Sequence, residues 1–286
     1  MFTPFAFVKT TSTISYNPVA SAWATAAGIA TPSVISAVST FVDTLQTANI
    51  WSKMVTIHPM ITDSDTSSTA ETQFTYNLVN PATYTATYLN GNGTGAKGGW
   101  TNASGDTFIM QVTPTNIGNN YVYGFYTNSD AASTDVIDMG VYDSAGADTG
   151  YSYVIVGRNK SGANAQILMA ASDGIFPYNN TGTGPFTGLF GVGGNSTTGY
   201  AYRRTSLLGS GGGTYNPAQR GSNQVIGLGS FFTDSTGAIN PTTKTYQFCF
   251  TSTFLDTTEF GNLATAVNDL QGAIDTIFST SRKAYT

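Results

Sequence analysis

The sequence predicts a mainly β protein, in which one antiparallel β-sandwich is flanked by an N-terminal and a C-terminal helix. Its 286 residues suit one large β domain. Between Met54 and Phe254, short runs rich in Thr, Tyr, Val, Ile and Phe alternate with clusters of turn-forming residues. Several of these clusters repeat one pattern, Asn or Asp followed three residues later by Gly, which is typical of hairpin turns between antiparallel strands.

The β-rich region contains eleven candidate strands. They are Gln73–Leu78, Thr83–Leu89, Thr107–Val112, Tyr121–Thr127, Val136–Tyr142, Tyr151–Val156, Ala165–Ala170, Thr187–Val192, Tyr200–Leu207, Val225–Phe232 and Thr245–Ser252. The turn pattern occurs at Asn102–Gly105, Asp143–Gly146, Asn159–Gly162 and Asp234–Gly237. An Asx side chain caps such a turn and Gly adopts the left-handed conformation that closes it, so we expect hairpins and meanders rather than parallel βαβ units.

The first helix is predicted over residues 31–49. Thr31 is a natural N-cap, and Pro32 fits the first helical position, where its missing N–H costs nothing. Apolar side chains then recur at spacings of four and three and share one face: Val34, Val38, Phe41, Leu45 and Ala48. Residues 1–30 show no regular period and are predicted to form an arm or an edge strand. The single sandwich domain with its two helices is therefore expected to span residues 31–286.

The second helix is predicted over residues 256–281 and is the strongest local signal in the chain. Asp256 and Glu259 have the spacing of a capping box, while Arg282 and Lys283 stand where cations favour a helix C-terminus. A narrow apolar stripe runs along this helix: Phe260, Leu263, Val267, Leu270, Ile274 and Ile277. The stripe predicts either a helix buried on the sandwich or a coiled-coil seam between chains. Its shortness favours the first, because coiled coils sustain the repeat over about three or more heptads.

Charge and composition exclude several classes of function. Only 9% of the residues are charged and the net charge is −5, whereas nucleic-acid binding rests on clustered Lys and Arg. No stretch reaches the roughly 18–20 continuous apolar residues of a membrane span. Hydrophobic residues still make up 40% of the chain, and 46 Thr and 32 Gly stand where charged residues are usual. We therefore expect a folded protein with neither a nucleic-acid partner nor a membrane span.

The inventory of catalytic residues is thin, so no catalytic residue and no cofactor is expected. The one histidine, His58, precedes a proline; a multi-histidine zinc site is impossible, and no nucleophile elbow accompanies it. The one cysteine, Cys249, excludes an internal disulfide and is expected to be a buried thiol. Only two glutamates occur, Glu71 and Glu259, and the second is explained by the helix cap. A carboxylate pair of the glycosidase kind is therefore disfavoured.

Two loops resemble ligand-binding motifs only in part. Asp63 and Asp65 begin like a Ca²⁺ loop, but the Gly and the bidentate Glu of that motif are absent. A solvated acidic loop is therefore favoured over a structural Ca²⁺ site. Gly191–Gly194 suggests a phosphate cradle, but no Lys-Ser/Thr follows it and no strand-to-helix pattern surrounds it. No metal or phosphate site is expected at either loop.

Aromatic residues supply the one candidate binding feature. Tyr121, Tyr123 and Phe125 alternate along one strand and share a face, where core packing is favoured over stacking on sugars. Trp100 follows two glycines just before a hairpin and is the freer candidate for an exposed ring. The sequence therefore leaves Trp100 as the candidate residue for stacking on a glycan.

Several short segments follow one another in a characteristic order: Trp23–Ile29, Ile50–Ile61 and Tyr76–Leu78, with Gly98–Thr101 and Ser104-Gly105 at the next hairpin. They resemble the opening of a family of tailed-phage virion proteins, which consists of AAGI, a short helix, LWSKM-x-x-IYP and NL. The family closes with a Phe-x-Ser strand, a Thr-x-x-Glu helix start, an apolar helix and a final GR. Phe250–Ser252, Leu255–Glu259, the helix from Phe260 and Ser281-Arg282 are similar to these. His58 replaces the family's Tyr, and Thr62-Asp63 replace its Gly-Gly.

The resemblance implies a concanavalin-A-like or jelly-roll sandwich attached to a phage head or tail, and it brings no catalytic residues. We therefore expect a non-enzymatic virion protein: a head decoration, a fibre or a tail accessory component. Its partners would be capsid or tail proteins and further copies of itself, for example in a trimer. The lack of a signal-peptide pattern fits synthesis in the host cytoplasm and a location in the virion.

Two other functions are weighed against the virion role. A glycan-binding, lectin-like module of a phage tail would use Trp100 to contact a host surface glycan. A carbohydrate-active enzyme is the least favoured, because the chain has so few paired carboxylates.

Overall fold

The computed structural model describes residues 14–285, apart from short gaps. The gaps are residues 90, 103–105, 113–119, 130–135, 144–153, 159–164, 172–173, 181–186, 196, 213–223, 230, 233–237 and 240–243. In the part that is described, two antiparallel sheets pack on each other, and helices pack on the outer face of one of them.

The larger sheet, sheet A, has eight strands. In spatial order they are β13 (Ser206–Gly212), β12 (Thr198–Arg203), β11 (Gly188–Gly194), β6 (Tyr121–Thr127), β17 (Thr245–Thr253), β4 (Gly99–Thr101) and β3 (Thr94–Ala96), and β1 (Met54–His58) also pairs with β17. The centre of sheet A is the long pairing of β6 with β17, two strands that are more than a hundred residues apart in sequence.

The smaller sheet, sheet B, has five strands. In spatial order they are β2 (Thr87–Leu89), β5 (Thr107–Met110), β14 (Gln224–Leu228), β7 (Val136–Asp143) and β8 (Val154–Arg158). Two further hairpins pair β9 (Ala165–Ala171) with β10 (Gly174–Asn180), and β15 (Phe231–Phe232) with β16 (Ala238–Ile239). Every described strand pair is antiparallel, which confirms the predicted fold class.

The centre of sheet A is buried on both faces, as β6 shows. Tyr121, Tyr123 and Phe125 belong to the core between the two sheets, whereas Val122 and Tyr126 belong to the core under the helices. This alternation follows from the two-residue period of a strand. The prediction that the three aromatic residues pack in the core is confirmed. Sheet B contributes the opposite side of that core: Phe108, Met110, Met139, Ile226 and Leu228.

The described part of the chain contains four α-helices. They are α1 (Pro18–Ala27), α2 (Pro32–Thr47), α3 (Ser67–Phe74) and α4 (Thr257–Phe278), and a 3₁₀ turn covers Trp51–Lys53. Helices α2 and α4 confirm the two predicted helices, and Asp256 and Glu259 form both hydrogen bonds of the capping box. None of these helices combines the length and apolarity required to cross a bilayer.

Helix α1 corrects the expectation that residues 1–30 form an irregular arm or an edge strand. Asn17 caps the helix by accepting a hydrogen bond from the Val19 amide at 2.9 Å, and Gly28 ends it with a left-handed φ of 70°. The buried side chains recur at helical spacing: Ala20, Trp23, Ala24 and Ala27. The capping residues can be seen in the sequence, but the buried face consists mainly of alanines, and its apolar pattern is therefore weak. Residues 1–13 of the predicted arm lie outside the described residues.

Several strand predictions need correction: Thr83–Leu89 is a strand only over its last three residues, and Val225–Phe232 is divided between β14 and β15. Gln73–Leu78 is not a strand: its first two residues end α3, and the chain then turns around the Asn77 side chain. Tyr200–Leu207 is divided between β12 and β13, because the chain reverses at Arg204, whose φ is 52°. Met54–His58 was not predicted, yet it forms β1 against β17. The four predicted Asx–Gly turns all extend into residues outside the described ranges.

Candidate functional site

Trp100, the predicted glycan-stacking residue, is fully buried, so that prediction is wrong. Its ring stacks on Tyr246 with centroids 5.9 Å apart and lies 6.0 Å from the ring of Phe108. The indole Nε1 donates to the carbonyl of Asn92 at 2.7 Å. The reason is tertiary: β4 pairs with β17, which places Trp100 in the core between sheets A and B.

Among the side chains that the structure describes, the large hydrophobic ones that are exposed are Ile14 and Leu207, and neither is aromatic. Helices α1, α2 and α4 cover the outer face of sheet A, so that face offers no flat surface to a sugar.

Asp63 and Asp65 are engaged in separate structural contacts. Asp63 Oδ2 accepts the backbone amides of Ala30 at 2.8 Å and Thr31 at 3.0 Å, so it caps α2 where the Thr31 side chain does not. Burial alone raises the pKa of Asp63, but these hydrogen bonds outweigh it and hold the pKa below its usual value. Asp65 pairs with Lys97 at 2.7 Å. Among the described residues, no group of three or more His, Cys, Asp or Glu could hold a metal ion.

Both glutamates have structural partners. Glu71 Oε1 accepts from the Ser67 hydroxyl at 2.5 Å and from the Gly95 amide at 3.3 Å. Glu259, besides closing the capping box, pairs with Lys53 Nζ at 2.5 Å. Each glutamate therefore ties a helix to a segment elsewhere in the chain.

His58 and Cys249 lie opposite each other on β1 and β17, and both are buried. The ring Nδ1 of His58 lies 3.3 Å from the carbonyl of Phe74, which assigns the proton to Nδ1, and Nε2 has no hydrogen-bond partner. Burial lowers the pKa of His58 to about 4. Burial also raises the pKa of the Cys249 thiol well above its usual value. At neutral pH, His58 is therefore neutral and Cys249 is protonated.

The buried His58 predicts a loss of stability in mild acid. Its folded pKa of about 4 lies below the ordinary value of 6.5, so the unfolded chain binds the proton more readily. The free energy of unfolding is unaffected by this group above pH 6.5. As the pH falls toward 4, it decreases by up to ~1.4 kcal/mol per pH unit. We expect urea midpoints to fall over this window, and less steeply in His58→Gln. Equal slopes for the two proteins would contradict this assignment.

The segments that resemble the phage family meet in one buried framework. Trp23 Nε1 donates to the carbonyl of Tyr76 at 3.3 Å, which links the AAGI segment to the NL segment. The side chain of Asn77 then holds β1: its Oδ1 accepts from the Ile57 amide at 3.0 Å, and its Nδ2 donates to the Val55 carbonyl at 3.3 Å. These motif residues therefore join segments that are distant in sequence.

Arg282 attaches the last motif to the same framework. Its fully buried side chain donates to five acceptors: Gln271 Oε1 at 2.7 Å and the carbonyls of Lys97 at 2.8 Å, Pro59 at 3.2 Å, Met60 at 3.0 Å and Gln247 at 3.1 Å. Burial lowers the pKa of Arg282 to about 9, with Asp275 partly opposing this, so it stays charged at neutral pH. Arg282 was expected next to the C-terminus of the second helix, but α4 already ends at Phe278 and the Arg282 side chain is buried.

The predicted apolar stripe of α4 lies inside the chain. Phe260, Leu263, Val267, Leu270 and Ile274 are buried, and Ile277 is partly buried. They share a core with α1, α2 and the outer face of sheet A. The ring of Phe260 stacks on Tyr202 with centroids 4.5 Å apart. This packing corresponds to a helix that lies on the sandwich.

Gly191→Ala is expected to lower the free energy of unfolding by about 1–3 kcal/mol, through overpacking. A Cβ at Gly191 would lie 2.3 Å from the Phe260 ring, so this glycine lets α4 approach sheet A. Gly98→Ala is the matched control, because a Cβ there meets nothing within 4 Å. Urea denaturation compares the two variants. Equal stability of both proteins would contradict the inferred contact.

Comparison with solved structures finds domains of sialidases and of an arabinanase that resemble this fold, at low sequence identity. No protein-family model and no curated protein matches the chain. The CBM40 of Ruminococcus gnavus IT-sialidase, bound to α2,3-sialyllactose, has a TM-score of 0.44 at 8% identity, covering 57% of this chain and 95% of that one. Domain 4 of AbnA, a GH43 extracellular arabinanase from Geobacillus stearothermophilus, in complex with arabinotriose, has a TM-score of 0.41 at 12% identity, covering 56% and 72%.

The NanB sialidase from Streptococcus pneumoniae has a TM-score of 0.42 at 9% identity, covering 50% of this chain and 24% of that one. The chain therefore spans about a quarter of the length of that sialidase. At these identities and TM-scores, the likeness bears on neither ligand nor activity.

Proposed function

We propose that this protein is a structural component of a tailed-phage particle, and that it acts by assembly rather than catalysis. The proposal rests on the ordered resemblance to virion proteins and on one observation that supports it. The resembling segments are joined through Trp23, Asn77 and Arg282 into buried contacts. In a family of enzymes or binding proteins, the shared motifs are expected at the site that carries the function. In a family with a structural role, they are expected to hold the scaffold together.

Five titratable residues support the same proposal. His58 and Cys249 are buried and uncharged at neutral pH, and the carboxylates of Asp63, Glu71 and Glu259 are engaged in a helix cap, hydrogen bonds and an ion pair, respectively. A catalytic carboxylate or histidine would instead face a cleft that admits substrate. The chemistry of these side chains therefore favours a structural role.

The proposal is tested by locating the protein. Particles from a lysate of cells that carry the gene are washed, then probed by mass spectrometry and by electron microscopy with an antibody against the purified chain. We expect the protein on the particles; many copies per particle would indicate a head decoration, and few copies a tail component. Protein confined to the particle-free fraction would overturn the proposal.

Assembly also predicts contacts between copies of the chain, with a trimer as the first candidate. Light scattering during size-exclusion chromatography measures the mass of the purified protein. We expect a multiple of the 30.0 kDa chain. A mass of one chain at every concentration would contradict self-association.

A glycan-binding module of a phage tail is the alternative. The described residues do not favour it, because Trp100 is buried and helices cover the outer face of sheet A. An array that includes sialylated and arabinose-containing glycans provides the test. We expect no binding above background; specific binding that free sugar competes away would favour the adhesin.

A further inference from the structure

Two oppositely charged side chains meet in the interior, between the two sheets. Asp138 lies on β7 of sheet B, and Lys244 directly precedes β17 of sheet A. Lys244 Nζ lies 2.9 Å from Asp138 Oδ2, and the two side chains are 1% and 0% exposed. The pair therefore bridges the sheets at a point that water does not reach.

The second carboxyl oxygen of this pair has its own donor. The hydroxyl of Tyr246 donates to Asp138 Oδ1 at 2.6 Å. The Tyr246 ring is held in place by Trp100, 5.9 Å away in a stacked arrangement, and by Phe125, 5.5 Å away and edge-on. The residue after Asp138, Met139, belongs to the same buried core. An amine, a carboxyl group and a hydroxyl are thus fixed together in aromatic and apolar surroundings.

We propose that Lys244 and Asp138 join in an intramolecular amide (isopeptide) bond, which makes this cluster a self-modification site. A proton first passes from Nζ to Oδ2 and yields a neutral amine and a carboxylic acid. The Nζ lone pair then attacks Cγ, and the hydroxyl of Tyr246 stabilises the negative charge that develops on Oδ1. The C–N bond forms, the Cγ–Oδ2 bond breaks, and Oδ2 leaves as water with a second proton from Nζ. One water is released, and no oxidant or further reactant is required.

Three features of the site favour this reaction over a persistent ion pair. Burial excludes bulk water, which hydrolysis of the bond would require. The fold holds the amine 2.9 Å from Oδ2 of the carboxyl group, which replaces a bimolecular encounter. The hydroxyl of Tyr246 is a donor aimed in advance at the oxygen where charge develops.

The bond would join two positions that are 106 residues apart in the chain and would tie sheet A to sheet B. Such a cross-link would prevent the two sheets from separating without breaking a covalent bond. This inference is independent of the proposed virion role, since it depends only on the geometry of the cluster.

The test is the mass of the purified full-length chain, measured under denaturing conditions. We expect a mass lower than the sequence mass by one water molecule, and a branched peptide that contains both Lys244 and Asp138 after protease digestion. The Lys53–Glu259 pair is an internal control, because its ion pair is even closer, at 2.5 Å, but its side chains are 34% and 22% exposed. We expect those two residues in linear peptides.

Variants show whether the cluster performs the reaction. Lys244→Arg and Asp138→Ala should have their full sequence masses. Tyr246→Phe keeps the aromatic packing but lacks the donor, so its cross-linked fraction should be lower soon after synthesis. Wild-type protein at its full sequence mass, with Lys244 in a linear peptide, would overturn the proposal. A water loss that persists in Asp138→Ala would overturn it as well.

Discussion

Replacing Arg282 by alanine is expected to lower the free energy of unfolding by about 3–5 kcal/mol, because several buried acceptors lose their donor at once. The carbonyls of Pro59, Met60 and Gln247 all accept from Nη2 of this side chain. An unsatisfied buried polar group costs ~1–3 kcal/mol. The loss is read from urea denaturation, as a lower midpoint at unchanged slope.

The adjacent residue provides the control for Arg282. Lys283 is exposed and carries the same charge, so Lys283→Ala should change stability by less than about 0.5 kcal/mol. If the two variants unfold at the same urea concentration, then Arg282 does not hold the framework together.

Leu270→Asp is expected to unfold the chain rather than only dissociate an oligomer. Leu270 is buried in the core that α4 shares with α2 and sheet A. A carboxylate at that position would lie among apolar side chains and would carry a large desolvation cost. The milder Leu270→Ala should cost about 2–5 kcal/mol through lost burial and a cavity.

Circular dichroism and light scattering together distinguish the outcomes for Leu270. Asn262→Asp introduces the same side chain at an exposed position of the same helix and should leave both signals unchanged. A folded Leu270→Asp monomer would indicate that the stripe is a seam between chains. A variant that keeps both its melting temperature and its oligomeric state would contradict burial of the stripe altogether.

Features with local causes could be predicted from the sequence. Helix α4 follows from the capping box of Asp256 and Glu259 and from the spacing of its apolar residues, and both were confirmed. Helix α1 had equally local signals in Asn17, Pro18 and Gly28, yet it was missed. Its buried face consists of three alanines and one tryptophan, which makes a weak apolar pattern.

The burial and the hydrogen-bond partners of individual long side chains could not be predicted from local patterns. Trp100 stands in a glycine-rich segment that suggests exposure, yet the pairing of β4 with β17 buries it. Arg282 stands where a cation commonly ends a helix, yet its buried side chain donates hydrogen bonds to five acceptors. In both cases the decisive partners are far away in sequence.

The sequence by itself determined the β class, the antiparallel pairing, helices α2 and α4, and the alternation along β6, because these depend on propensities and spacings within a few residues. Only the tertiary structure decided that Trp100 is buried, that Arg282 is a buried link, and that Lys244 meets Asp138. The physical reason is that burial and hydrogen bonding of a side chain depend on which strands pair. Here the central pairing joins β6 to β17, across more than a hundred residues of chain.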